Sequence, residues 1–261
     1  MSHRVKSKDG TVIAYEESGH GPAVVIVGGV LGDRSQQAPV ADLLAKEFTV
    51  FNFDRRGNGE SEDKPPYAVE REIEDIDAVL DAAGGAAFVY GTSGPGVLAL
   101  HAASAAPGAK MKKLAIWEPP FIVDSSRPKV RSDYKAELES RLSQGRRGDM
   151  VELFFTDAVG MPAQFVAQMR QSPWWAAQEA MAHTTIYDAT LMGDYSLPRD
   201  KFARVRVATL VLDGGQSPWL SASADVVAAA LANGRRRTLA GQQHNVEPTA
   251  IAPALIEFFR G

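Results

Sequence analysis

Ser93 sits in the stretch "AAFVYGTSGPGVLAL" (86–100), a lone hydroxyl on a glycine-rich corner between two apolar segments. Three devices use such a corner. A phosphate-cradling loop needs a lysine after its last glycine, and here Val97 follows Gly96. A dinucleotide-binding turn needs G-x-G-x-x-G after the first strand of its unit, and "GTSGPG" lacks that pattern. The third device is a nucleophile elbow, a strand–turn–helix corner that lifts a serine hydroxyl above a sheet at the positive end of a helix. Gly91 stands two residues before Ser93, as an elbow requires, while Pro95 occupies the position two after it, where glycine is usual. Proline suits the first turn of a helix, whose N–H has no partner. An ordinary structural turn would account for the glycines alone, but the placement between "AAFVY" and an apolar helix favours the elbow.

A serine nucleophile needs a base and a group to orient that base. Five histidines are present. His3 lies near the N-terminus, and His20 falls in a turn. His101 stands eight residues into the helix after Ser93, about 12 Å away at 1.5 Å per residue. His183 lies in a helical stretch that could line a cleft, and His244 follows the last strand in a loop rich in glycine and glutamine. Two acids fall at the carboxyl ends of strands, Glu118 in "LAIWEPPF" and Asp213 in "LVLDGG". Glu118 has the longer reach and precedes Pro119-Pro120, whose fixed φ would hold it. Asp213 precedes two glycines that suit a tight turn.

These side chains need a scaffold. "RVKSK" (4–8) and "TVIAYEESG" (11–19) read as a hairpin joined at Asp9-Gly10. "AVVIV" (23–27), "FTVFNF" (48–53), "AAFVY" (86–90), "KKLAIW" (112–117), "VATLVLDGG" (207–215) and "RRRTLAG" (235–241) read as further strands. Helices are expected from Asp33 to about Lys46, from Val69 to Gly84-Gly85, from Gly94 to about Ala106, through about Leu231, and over 247–260. Strands that are apolar throughout and alternate with helices imply a parallel sheet covered on both faces. The alternation lapses over 121–200, where helical stretches occur without a convincing strand. The expected organisation is a core of 1–120 and 201–261 with a helical cap insertion at 121–200.

The 261 residues are 45% hydrophobic, which suits one domain with a sizeable core, and a net charge of −4 leaves no electrostatic footprint for nucleic acid. The short basic run Arg235-Arg236-Arg237 reads as a solvated strand end. The chain has no cysteine, which removes disulfides, thiolate metal sites and cysteine nucleophiles. Its polar start, and the lack of an apolar run near the ~18 residues a span requires, predict a cytoplasmic protein without a leader or membrane partner.

Taken together, "VVIVGGVLG" (24–32), "FDRRGNGES" (53–61), "VYGTSGPG" (89–96), "TLVLDGG" (209–215) and "LAGQQHNV" (239–246) resemble the α/β-hydrolase family over nearly the whole chain. The resemblance implies a mostly parallel central sheet with helices on both faces and a helical cap. It implies His244 as general base, and backbone N–H groups of Val30 and Gly94 as an oxyanion hole. Here Gly28-Gly29-Val30 stands where the family commonly carries His-Gly-x. The family's usual acid, in Gly-x-x-Asp after the strand at 207–212, falls on Ser217. Some relatives, including zearalenone-type lactonases, place a glutamate where Glu118 stands, which favours Glu118 with Asp213 as the alternative. The family uses the loop of Asp54, Arg55 and Arg56 to hold other loops together.

The resulting expectation is a serine hydrolase cleaving an ester or lactone with an apolar or aromatic portion. Ser93, His244 and Glu118 would form the triad, and Gly29, Phe121, Met161, Trp174, Trp175 and His183 would contact substrate. At most one of the adjacent tryptophans can face a cleft, because neighbouring helical positions point ~100° apart. No metal or cofactor is expected, and the oligomeric state is open. Two alternatives remain on the same fold: a non-hydrolytic protein (a ligand-binding module or a cofactorless cyclase or lyase) and a perhydrolase using the same triad.

Overall fold

The structure, a computed structural model, describes residues 2–105 and 110–261. Eight strands form one sheet: β1 (Ser2–Lys6), β2 (Val12–Gly19), β3 (Ala23–Val27), β4 (Thr49–Phe53), β5 (Ala87–Thr92), β6 (Met111–Trp117), β7 (Ala208–Gly215) and β8 (Gly234–Gln242). Their order is β1-β2-β4-β3-β5-β6-β7-β8, antiparallel at β1–β2 and β2–β4 and parallel elsewhere. The central strands are buried on both faces; β3 and β6 end in runs such as Val24–Val27 and Leu114–Trp117 with no exposed residue. Continuous apolar runs are what a doubly covered parallel sheet demands.

The covering helices on one face are α1 (Ala38–Leu44) and α11 (Pro248–Arg260), whose Leu44, Ile251 and Leu255 pack on Val24, Ile26 and Trp117. The other face carries α2 (Val69–Ala82), α3 (Ser93–Ala105) and α10 (Pro218–Ala230), with Ile76, Val97 and Val227 on Val25, Val89 and Val211. The helix expected from Asp33 to Lys46 is broken. The Asp33 carboxylate accepts the Ser35 N–H at 2.8 Å and starts a 3-10 turn, Arg34–Gln37, before α1 begins. Pro39 explains the break, since its ring tolerates only the first turn of an α-helix and α1 carries it there. The helix after Ser93 was expected to run to about Ala106, a residue that lies outside the described ones; α3 is described to Ala105.

Between β6 and β7 the chain forms six helices: α4 (Tyr134–Ser143), α5 (Arg147–Leu153), α6 (Ala163–Met169), α7 (Trp175–Ala180), α8 (Thr184–Met192) and α9 (Arg199–Phe202). A π-helical turn, Phe154–Ala158, follows α5 directly and is closed by the Val159 N–H donating to the Phe154 carbonyl at 3.0 Å. This helical segment packs on the α2–α3 side of the core, where α8 meets α3. The chain leaves β3 toward β4 on one side and reaches β5 on the other. The crevice at the carboxyl ends of β3 and β5 is therefore a topological switch point, where parallel sheets place their sites.

Candidate active site

Ser93 stands at a sharp strand-to-helix corner between β5 and α3. Ser93 has φ +58°, the left-handed conformation that costs about 1–2 kcal/mol for a residue with a Cβ. A Cβ on Gly91 would stand 2.8 Å from the Gly96 Cα, and one on Gly96 would stand 2.9 Å from the Gly91 carbonyl oxygen. The close crossing of strand and helix therefore needs glycine at 91 and 96. Pro95 lies one residue before the crossing and fits in the first turn of α3.

Ser93 opens onto a cavity of about 270 Å³ at the switch point, whose wall also includes Val30, Gly94, Glu118, Asp188 and His244. The apolar part of that wall is Phe154, Ala158, Val159, Met192, Trp219 and Leu220. A Cβ on Gly94 would lie 3.7 Å from Val30 Cγ2, so the two residues expected to cradle an oxyanion are neighbours.

Glu118 leaves β6 with φ +44°, its N–H donating to the Leu212 carbonyl at 2.9 Å. The side chain is 1% exposed. Its Oε1 accepts the Gly214 N–H at 3.0 Å, and its Oε2 lies 2.7 Å from His244 Nδ1. The loop of His244 is fixed from the same strand end, because Trp117 Nε1 donates to the His244 carbonyl at 2.9 Å. Asp213 faces elsewhere. Arg236 pairs with its Oδ1 at 2.8 Å, and its Oδ2 accepts the Gly215 N–H at 3.2 Å and the Ser221 hydroxyl. Burial alone would raise this carboxyl. Hydrogen bonds from Arg236, Ser221 and Thr238, with the Arg236 charge, outweigh burial and hold it below the usual range.

Backbone strain concentrates here. Among the described residues, the non-glycine positions with positive φ are Leu31, Ser93, Glu118 and Tyr195. Three of them line the cavity and Leu31 follows Val30, which also lines it. Such conformations persist only where the surroundings over-determine them, and they cluster at functional sites.

The other expected contacts lie away from the cavity wall. Phe121 is buried against Phe202, with its N–H donated to Ser223 Oγ at 3.1 Å. Trp175 is buried, stacks obliquely on Phe155 and donates to Glu179 at 3.0 Å; Trp174 is 42% exposed. Neither tryptophan faces the cleft, because the turn before α7 directs one into the helical segment and the other to its surface. Met161 packs at the edge of the main core, its N–H bonded to the Phe155 carbonyl at 2.9 Å. Gly29 lies under Gln36, whose Oε1 would stand 2.7 Å from a Cβ there. His183 Nδ1 lies 2.9 Å from Arg147, and its Nε2 lies 3.5 Å from Asp63; burial and the Arg147 charge push its pKa down despite Asp63. His101 is buried beside Lys201 at 2.6 Å, and burial with that charge lowers it to about 4. The aromatic residues that do line the cavity are Phe154, Tyr195 and Trp219. Trp219 follows β7 at the start of α10, and the carboxyl-end rule for parallel sheets was the signal that could have found it.

Behind the cavity, Arg55 is held by Glu72 at 2.7 and 2.8 Å and by Asp188 at 3.2 Å. Arg56 is held by Asp75 at 2.7 Å on both oxygens and by Asp9 at 3.1 Å. Asp54 accepts from Arg34 and from the Glu60 N–H.

The alpha/beta hydrolase family matches residues 10–253 of the sequence. This chain belongs to the alpha/beta hydrolase family. An alpha/beta hydrolase from Sphaerobacter thermophilus is 52% identical, covering 98% of this chain and all of that one, with a TM-score of 0.93. An esterase from Thermogutta terrifontis shares the fold at 20% identity and a TM-score of 0.72, over 100% of this chain and 98% of that one. A pimeloyl-[acyl-carrier protein] methyl ester esterase of Xanthomonas campestris is 29% identical over 144 residues, 54% of this chain and 55% of that protein. The chain thus spans about half the length of the curated relatives it matches. In this family member the fold is the mostly parallel sheet with helices on both faces described above.

Proposed function

We propose that this alpha/beta hydrolase is a serine esterase or lactonase acting on a small substrate with an apolar portion. Its triad is Ser93, His244 and Glu118. The observation that carries the reading is the 2.7 Å contact between His244 Nδ1 and Glu118 Oε2, at the wall of the cavity onto which the strained Ser93 opens. Glu118 fixes the imidazole so that Nε2 is left to take a proton, and it stabilises the imidazolium that results.

In the proposed reaction the Ser93 Oγ attacks the carbonyl carbon while its proton passes to His244 Nε2. The carbonyl oxygen takes the negative charge and is met by the Val30 and Gly94 N–H groups, backbone donors that do not depend on the missing loop histidine. Collapse of the tetrahedral species expels the alcohol, which takes the proton from His244. Water, deprotonated by His244, then attacks the acyl-serine, and a second collapse returns the proton to Ser93. Alkyl–halide and epoxide opening do not suit a serine, since an alkyl-serine ether would not be hydrolysed as an alkyl ester is. Helices α4–α9 act as a cap, with Phe154, Met192 and Tyr195 facing the acyl group. Turnover of a panel of esters and lactones of graded size tests this. Ser93→Ala should lose roughly 10³-fold or more on every substrate turned over, because a triad acts as one unit. Retention of a tenth of the wild-type rate contradicts covalent catalysis.

A further inference from the structure

Asp188 is a carboxylate that the proposed triad leaves unused. It is 3% exposed, yet it forms part of the cavity wall beside Ser93 and Gly94. A Cβ on Gly94 would lie 3.2 Å from its Oδ1, so the carboxyl stands next to the oxyanion cradle. Oδ1 accepts from Arg55 at 3.2 Å, and the buried Oδ2 has no hydrogen-bond partner among the described residues. A native protein rarely leaves a buried polar oxygen unpaired without a functional reason.

The charge count points the same way. Among the described residues Arg55 is the one cation of the cluster, and Glu72 takes it bidentately, with the Tyr67 hydroxyl also donating to Glu72 at 2.8 Å. With Glu72 and Asp188 ionised, two negative charges face one positive charge. Such a cluster favours either a proton on Asp188 or a donor brought by the occupant of the cavity. An ionised Asp188 would also repel the charge that develops beside Gly94, and a bound donor would shield it.

We propose that Asp188 selects the substrate: the acyl group carries a hydrogen-bond donor one or two carbons from the scissile carbonyl, with a protonated amine the strongest fit and a hydroxyl the next. Of the two carboxylates that line the cavity only Asp188 lies outside the proposed triad, and although Gln216, Ser217 and Gln243 share the wall, it is the buried charge there that a donor on the substrate can meet, setting orientation and preference. The inference rests on the hydrolase reading for its kinetic form and on the cavity alone for its binding form. The groups that face Asp188 are Arg55 after β4, Tyr67 and Glu72 at α2, Tyr134 on α4 and Tyr195 after α8, with Ser93 and His244 on the same cavity wall. Burial, followed by the Glu72 charge, pushes the Asp188 carboxyl up to about 6 against the pull of Arg55.

The test compares three nearly isosteric esters: phenyl 3-aminopropanoate, phenyl 3-hydroxypropanoate and phenyl butanoate. At pH 8 the wild-type kcat/KM should favour the amino and hydroxy esters over butanoate by about tenfold or more. Asp188→Asn and Asp188→Leu should remove or invert that preference. In the wild type the amino-to-butanoate ratio should grow from pH 5 to pH 8 as Asp188 ionises while the amine stays protonated. Effects of His244 cancel in the ratio, and this arm needs no variant to fold. A ratio that is flat with pH, or that Asp188 substitution leaves unchanged, overturns the proposal. A turnover-free arm separates the two readings. Calorimetry on Ser93→Ala should show 3-amino-N-phenylpropanamide binding tighter than N-phenylbutanamide, and adding Asp188→Leu should abolish the difference. That result in a protein that hydrolyses none of the esters would sustain the role of Asp188 and defeat the hydrolase reading.

Discussion

At the scale of single residues, the choice between Glu118 and Asp213 turns on what each carboxylate already holds. Glu118 spends one oxygen on the Gly214 N–H and has the other on His244. Asp213 is engaged by Arg236, Ser221 and the Gly215 N–H. Glu118→Gln should therefore lose on the order of 10³–10⁴ in kcat, the scale expected when a triad acid is neutralised. Asp213→Asn should lose less than about tenfold in kcat while lowering Tm, since it strips a buried partner from Arg236. Steady-state kinetics on proteins with matched folding checks the ranking, and the reverse order would move the role to Asp213. The sequence offered both acids at strand ends. The tight turn expected after Asp213 is instead an irregularity inside β7, which runs on to Gly215, but the local N–H bond to its carboxylate was legible from the glycines. The pairing with Arg236 was not, because Arg235-Arg236-Arg237 reads alone as a solvated strand end. Register between β7 and β8 sets Arg236 opposite Val211, two residues before Asp213, and register is a non-local property.

At the scale of elements, the strands and the main helices were legible because buried parallel strands are apolar without interruption and their helices carry a one-sided stripe. Ile73, Ile76 and Leu80 on α2 are such a stripe, and Gly84 and Gly85 end it at φ +90° and +82°. The corner was legible in outline, including Gly96, which with Gly91 makes the close approach. Cavity-lining side chains were the least legible part. Helical spacing between β6 and β7 marks which residues are apolar but not which reach the cavity; Trp175, for one, is buried against Phe155. The π-helical turn at Phe154–Ala158 had no sequence signal, and it is the turn that brings Phe154 and Ala158 to the cavity. Accordingly, Trp219→Ala should raise KM for a bulky aryl ester several-fold with less effect on a small acetate ester. Trp174→Ala should leave both within about twofold. Parallel Michaelis measurements decide it, and a larger effect from Trp174 would mean that the cavity wall is misassigned.

At the scale of the whole molecule, buried ion pairs tie the helical segment to the core. Arg55 joins α2 to α8 through Glu72 and Asp188, and the Tyr187 hydroxyl on α8 donates to Asp63 at 2.7 Å. Removing one partner of a buried pair costs more than the pair's net worth. These links also couple stability to pH. Asp188 is raised from the ordinary 3.8 to about 6, so the folded state binds its proton more tightly than the unfolded chain. The corresponding stability is present below about pH 4 and is lost as pH rises through about 6. A two-unit shift corresponds to about 3 kcal/mol at most. Chemical denaturation at pH 4 and pH 7 should show the wild type losing stability relative to Asp188→Asn by a sizeable part of that amount. Parallel pH curves for the two proteins would contradict it.

Whether Ser93 is the activated nucleophile proposed above is read by intact-protein and peptide mass spectrometry after exposure to a fluorophosphonate at pH 8. One adduct per chain is expected, located on Ser93, absent in Ser93→Ala, and formed at least a hundredfold more slowly in His244→Ala. A folded wild-type protein that stays unlabelled, or that is labelled equally with His244 removed, would contradict the proposal.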